Sequence, residues 1–184
     1  LFSAKSVAEL DRIAIEQRQI PSLVLMKRAG RSVLTELLET FGPPSLLSIF
    51  CGSGNNAGDG YIVAALAAAK NIQVQVIELS QNLSQDASRA RNFAAEANVC
   101  FVPFDSSLSI EEGVIVDSLL GTGYLGNLRQ PYGEAIQLIN DSGLPLVAVD
   151  IPSGLNADTG HVAEVAVDSF VGERELACVR DEID

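Results

Sequence analysis

Three short segments of this chain carry residues that packing alone does not ask for. The first is Gly52-Ser53-Gly54-Asn55-Asn56-Ala57-Gly58-Asp59-Gly60. Its four glycines let the backbone come close to a ligand and take up positive φ. A helix opening after them offers unpaired amides to a phosphate. Asn55 and Asn56 add neutral donors and acceptors, and with no Gly-Lys-Ser/Thr the turn is not a Walker A loop. The second segment is Val116-Asp117-Ser118-Leu119-Leu120-Gly121-Thr122-Gly123, an aspartate ending an apolar run followed by a second glycine cradle. The third, Val149-Asp150-Ile151-Pro152-Ser153-Gly154 and on to Gly160, again sets an aspartate at the end of an apolar run. Asp59, Asp117 and Asp150 are expected to share one crevice, where carboxylates repel unless a cation or a raised pKa relieves them. Together with the Asn56 amide and the Ser153 hydroxyl they form a hard oxygen set, suited to an alkali or alkaline-earth cation and not to zinc.

The elements that must hold these segments alternate regularly. A capping-box spacing at Ser6 to Glu9, with Val7, Leu10, Ile13 and Ala14 as a stripe, opens a first helix, and residues 23–40 form a second, ended by Gly42-Pro43-Pro44. Apolar runs at 46–50, 74–77, 99–102, 114–116 and 146–149 read as strands; residues 61–70, 84–97 and 132–140 read as the helices between them. The strands are apolar without alternation, as in a sheet covered on both faces, and strand–helix–strand alternation calls for parallel strands with right-handed crossovers. The expected fold is a three-layer α/β/α, Rossmann-like, doubly wound and mostly parallel sheet with two N-terminal helices. Ligands then bind beyond the carboxyl ends of the strands, where all three segments arrive. One domain over residues 1–184 is expected, its tail from about Val165 standing apart as a truncated end; residues 162–171 offer one more strand, and 173–184 read as a frayed end or a poorly packed helix.

Composition narrows the partners. With 12 Lys plus Arg against 24 Asp plus Glu, the net charge of -12 repels nucleic-acid backbones and anionic membranes, so neither is an expected partner. No apolar run is long enough for a membrane span, and the start lacks the layout of a signal peptide. Cys51, Cys100 and Cys178 fit no metal or redox spacing, which points to a reducing, cytoplasmic setting. His161 reads as a surface residue, Lys27, Arg28 and Arg31 as a solvated helix face, and Tyr61 and Tyr132 as either core residues or rings that stack on a ligand.

Taken together and in order, the three segments resemble the YjeF N-terminal domain family, the NAD(P)H-hydrate epimerases. The family's Gly-x-Gly-Asn-Asn-Gly-Gly-Asp-Gly loop is matched by Gly52 to Gly60, with Ala57 in place of one glycine. Its Val-Asp-x-x-x-Gly-Thr-Gly is matched by Val116 to Gly123, and its Val-Asp-Ile-Pro-Ser-Gly-Leu-x-x-Asp-Thr-Gly by Val149 to Gly160. Leu10-Asp11-Arg12 and Ile20-Pro21-x-Leu23-Val24-Leu25-Met26 are similar to the family's first helices, so the resemblance covers roughly residues 1 to 160. It departs at Lys27-Arg28, where the family usually has Glu-Asn, and in the tail, where the sheet is expected to lack its usual edge.

The resemblance implies an isomerase of nicotinamide nucleotide repair. Its substrates would be NADHX and NADPHX, hydrated at C6 of the ring; it would interconvert their R and S forms so that a stereospecific dehydratase can use the S form. By the same resemblance Asn55, Asn56, Ala57, Gly58 and Asp59 would contact the hydrated dinucleotide, and Gly121, Thr122, Gly123, Tyr124, Leu125, Gly126 and Asn127 would hold its phosphates or ribose. One potassium ion per subunit would be ligated by Asn56, Asp117 and Ser153. Asp150 would touch the modified ring and act as the catalytic acid and base, which requires it to carry a proton part of the time. A homodimer paired through its first helices and a fused or separate NAD(P)H-hydrate dehydratase complete the expectation.

Two other readings start from the same residues. Gly52-x-Gly54-x-x-Ala57, with Glu78 at the end of the second strand, matches the dinucleotide fingerprint of redox enzymes. A non-catalytic binding or dimerisation module of the same fold is the other.

Overall fold

The computed structural model describes residues 17–124, 126, 128–168 and 176–178, together with Glu9 and Ile13. Glu9 and Ile13 are helical, and the rest of the expected first helix lies outside the described residues. The elements run α1 (Ser22–Phe41), β1 (Leu47–Cys51), α2 (Asn55–Ala68), β2 (Val74–Glu78), α3 (Gln85–Glu96), β3 (Cys100–Pro103), β4 (Val114–Ser118), α4 (Tyr132–Ser142), β5 (Leu146–Ala148) and β6 (Leu176–Cys178). The strands form one sheet in the order β3-β2-β1-β4-β5-β6, and each described pair is parallel. The chain winds outward from β1 to one edge, returns to β4 and winds to the other edge. The switch therefore falls between β1 and β4, where doubly wound folds bind ligands.

Side chains alternate along each strand, and both faces are covered. Ile49, Val76, Val116 and Val147 face a core shared with Val33, Leu34 and Leu37 of α1 and Tyr61 and Ile62 of α2. Their neighbours Phe50, Ile77, Ile115 and Leu146 face a second core with Ile136 and Ile139 of α4. That is why β1 and β4, wholly buried, show no polar alternation in sequence. Each fully buried Leu, Ile or Phe contributes about 1.5–3 kcal/mol over its exposed state.

Three expectations change. Helix α2 begins at Asn55, not at residue 61, so Asn55 to Gly60 are its first turns. Its glycines at 58 and 60, a poor recommendation for a free helix, serve close packing. A Cβ on Gly60 would lie 2.0 Å from Ser118 Oγ, and one on Gly52 would lie 2.1 Å from the Leu119 carbonyl oxygen. Only glycines let the start of α2 and the turn before it settle against β4. The expected strand at 162–171 is not seen over its described part: Val162 makes one isolated antiparallel bridge to Leu155, residues 163–168 have no strand, and 169–171 lie outside the described residues. The additional strand is β6, which lies parallel beside β5 inside the stretch read as a frayed end, so the sheet does have its edge. Pairing on an existing sheet template supplies the order that the local sequence does not.

Candidate functional site

The carboxyl ends of β1, β4 and β5 each deliver one of the three segments, and the main chain of Leu120 joins them. Its N–H donates to Ser153 Oγ at 2.9 Å, and its carbonyl accepts Asn56 Nδ2 at 2.9 Å. Gly52 N–H donates to the Ser118 carbonyl at 3.2 Å, which fastens the turn after β1 to β4. The N-terminus of α2, with Gly54 extended before it, thus points its unpaired amides and its positive dipole end at the turn after β4. An anionic group placed there would be favoured despite the acidity of the whole chain.

Asp117 and Ser153 are both fully buried. Ser153 holds the carboxylate twice, its hydroxyl donating to Oδ1 at 2.6 Å and its backbone N–H to Oδ2 at 2.8 Å, and Leu119 N–H adds a third bond at 3.2 Å. These bonds favour the charged form, yet desolvation outweighs them and pushes the Asp117 pKa up to about 6. Asp150 is partly buried and accepts from the Thr122 N–H at 2.7 Å. Gly121 leaves room for it: a Cβ there would come 2.8 Å from Asp150 Oδ2 and 3.3 Å from Asn56 Cβ. Asn56, Asp117, Gly121, Thr122, Asp150 and Ser153 therefore belong to one constellation.

Two buried side-chain polar atoms among the described residues have no hydrogen-bond partner, Asn56 Oδ1 and the Tyr124 hydroxyl. Both lie in segments singled out by sequence. With its amide nitrogen committed to Leu120, Asn56 is left with an acceptor oxygen shielded from solvent, a costly arrangement unless a donor or a cation meets it. Burial and the nearby charge of Glu164 raise the Tyr124 pKa.

The remaining expected residues divide. Asn55 stands at the start of α2, where its Oδ1 accepts from Ser84 Oγ at 3.4 Å; Ala57 and Gly58 are buried in the helix, and Gly58 packs so closely on Met26 that a Cβ would approach its Cε to 2.7 Å. Gly123 and Gly126 have open space where a Cβ would be. Leu125 and Asn127 lie outside the described residues. Asp59, Asp117 and Asp150 do not make a three-carboxylate metal cluster: among the described residues no three His, Cys, Asp or Glu gather to hold one. Asp117 is held by Ser153 and Leu119, whereas Asn56 Oδ1 is buried with no hydrogen-bond partner. Tyr61 and Tyr132 are packing residues, the first wholly buried and the second set against the core under α4. Lys27, expected on a solvated face, lies over the Phe93 ring at 3.9 Å. His161 is exposed. The residue that sequence missed is Leu120, because its contribution comes from the main chain, which leaves no mark in residue type.

Comparison with known proteins places the whole chain rather than single residues. The model of the family described as YjeF-related protein N-terminus matches residues 22–171. The chain is 37% identical over 169 residues to the "Bifunctional NAD(P)H-hydrate repair enzyme Nnr" of Coxiella burnetii, covering 91% of this chain and 34% of that protein. It is 34% identical over 171 residues to the "NAD(P)H-hydrate epimerase" of Rhodopirellula baltica, covering 89% of this chain and 69% of that one. It thus spans about a third of the bifunctional relative and over two thirds of the other. Among solved structures, the crystal structure of yeast ynu0, YNL200c, is similar in fold, with a TM-score of 0.78 at 20% identity over 91% of this chain and 76% of that chain. Among the described residues no helix is long and apolar enough to cross a membrane.

Proposed function

Because this chain belongs to the family of YjeF-related protein N-termini, we propose that it is an NAD(P)H-hydrate epimerase, an isomerase that interconverts the R and S forms of NADHX and NADPHX. The observation that carries this reading is the convergence of Asn56, Asp117, Asp150 and Ser153 on the turn from Leu119 to Thr122. The dinucleotide fingerprint, Gly52 to Ala57, is here one part of that longer family pattern, which displaces the redox reading.

The chemistry asked of the site is modest. The hydrate's C6 hydroxyl sits on a carbon next to the ring nitrogen, which can expel it once an acid protonates the leaving oxygen. A planar iminium results, and water adds to either face. Asp150 gives the first proton and takes one back from the incoming water, a role worth about 10²–10⁴-fold. The Thr122 N–H orients its carboxylate, and the amides at the start of α2 bind the anionic part of the substrate.

The donor set fits a potassium ion: Asn56 Oδ1 is a buried acceptor without a partner, Ser153 is bound to the same residue, Leu120, and Asp117 is held by Ser153. When bound, the ion supplies fixed positive charge that steadies these oxygens and offsets the buried carboxylate. In this reading the protein works in the cytoplasm as a homodimer, alongside a dehydratase that consumes the S hydrate, on the same or a separate chain.

The direct test is chromatographic. Offered pure R hydrate, the protein should produce the S form above the buffer background, faster with potassium than without; no conversion in either buffer refutes the proposal. A second expectation concerns Gly121→Ala. The added methyl group meets the Asp150 carboxylate and Asn56 but no strand, so the thermal midpoint should stay within a few degrees while epimerisation falls roughly 10²-fold.

A further inference from the structure

The carboxyl end of β2 plays no part in the site so far, yet it is more elaborately built than packing requires. Glu78, the last residue of β2, lies beside Cys51, one strand away from the glycine turn. Its carboxylate accepts Arg91 Nε at 2.6 Å and Nη2 at 3.0 Å, and the Tyr61 hydroxyl at 2.7 Å. The Arg91 guanidinium also lies over the Phe101 ring at 4.3 Å. A two-point pair stacked on an aromatic ring is a rigid, oriented group.

This group lines a polar cavity of about 490 Å³, with Ser80, Asn82, Leu83 and Ser88 around it. The volume is in the range of small-molecule sites. The loop that lines the cavity is tied to the glycine turn: next to Leu83, the Ser84 N–H donates to the Ser53 carbonyl at 2.8 Å, and Ser84 Oγ donates to Asn55 Oδ1. The carboxyl edge of the sheet therefore leads from Glu78, across the glycine turn, to Asp150.

We propose that this cavity receives the adenosine end of the dinucleotide hydrate, with the Arg91–Glu78 pair meeting the 2′ position of its ribose. The inference rests on the epimerase reading and adds where the far half of the substrate lies. In doubly wound dinucleotide sites an acidic group at the end of the second strand meets a ribose 2′-hydroxyl, and an arginine accommodates a 2′-phosphate. Here both groups are present and paired, so the cavity wall is close to neutral and accepts either substituent. From β2 to β5 there are three strand spacings, about 14 Å, a span suited to a dinucleotide laid across the switch point.

The test compares kcat/KM for NADHX and NADPHX in the wild type, Arg91→Gln and Asn82→Asp. Asn82 is exposed on the cavity rim, so its charged replacement keeps the fold. Beside a 2′-phosphate the new carboxylate should raise KM for NADPHX about tenfold more than KM for NADHX, with kcat for both little changed. Arg91→Gln should move the ratio in the same direction. A ratio of the two substrates that is unmoved in both variants, whether the activities fall together or stay put, overturns the subsite and leaves the epimerase reading standing. A wild-type protein that converts neither hydrate overturns both.

Discussion

Asp150→Asn should lower epimerisation by about 10²–10⁴-fold while the domain stays folded and still binds dinucleotide. The substitution separates structure from chemistry. The asparagine oxygen can still accept from Thr122 N–H, the bond of 2.7 Å that fixes this side chain, so the turn keeps its shape. What is lost is the ability to hold and return a proton. The comparison to make is single-turnover conversion of R to S hydrate, with thermal melting as a control for folding and fluorescence quenching for binding. Turnover unchanged beside an intact melt would take Asp150 out of the mechanism.

The second large effect concerns Asp117 and its dependence on pH. Burial raises its pKa from 3.8 to about 6, so between those values the native state holds a proton that the unfolded chain has released. Stability from this group therefore falls as pH rises from about 4 to about 6, and above that range the native state carries the full cost of the buried charge. Two pKa units correspond to about 3 kcal/mol. In potassium-free buffer the wild type should lose stability across that window more steeply than Asp117→Asn, which has no charge to bury. The asparagine variant should itself be weaker at low pH by about 1–3 kcal/mol, since the amide nitrogen that replaces one carboxyl oxygen only donates and so loses a bond from Ser153 or Leu119. Added potassium, compared with lithium at equal ionic strength, should raise the melting temperature more at pH 7.5 than at pH 5, because a ligand of the native state stabilises by mass action and the ionised site binds it better. Equal responses to the two salts at both pH values would separate this carboxylate from any cation.

Much of the fold could be read from residue order because the strands are apolar on both faces and bounded by turn residues. The limits of β2, α3, β4 and α4 moved by only a residue or two. The readings that failed did so where a distant neighbour decides the outcome. Nothing local marks Asn55 to Gly60 as helix; their glycines fit because Ser118 and Met26 wait on the other side. Leu176 to Cys178 become a strand because β5 offers an open edge. In the site, Asn56, Asp117, Asp150 and Ser153 were legible as polar residues at the ends of apolar runs. Which of them faces a ligand was not, because that depends on hydrogen-bond partners: Asp117 spends its oxygens on Ser153 and Leu119, whereas Asn56 keeps one in hand.

The main chain of Leu120 has a consequence for the order in which the molecule matures. It joins partners 64 and 33 positions away along the chain. Pairings so remote are entropically expensive and form slowly, since long loops must close before they are rewarded. The cradle is thus a latecomer, complete only after β1, β4 and β5 lie side by side, and its appearance would serve as a clock for the end of folding.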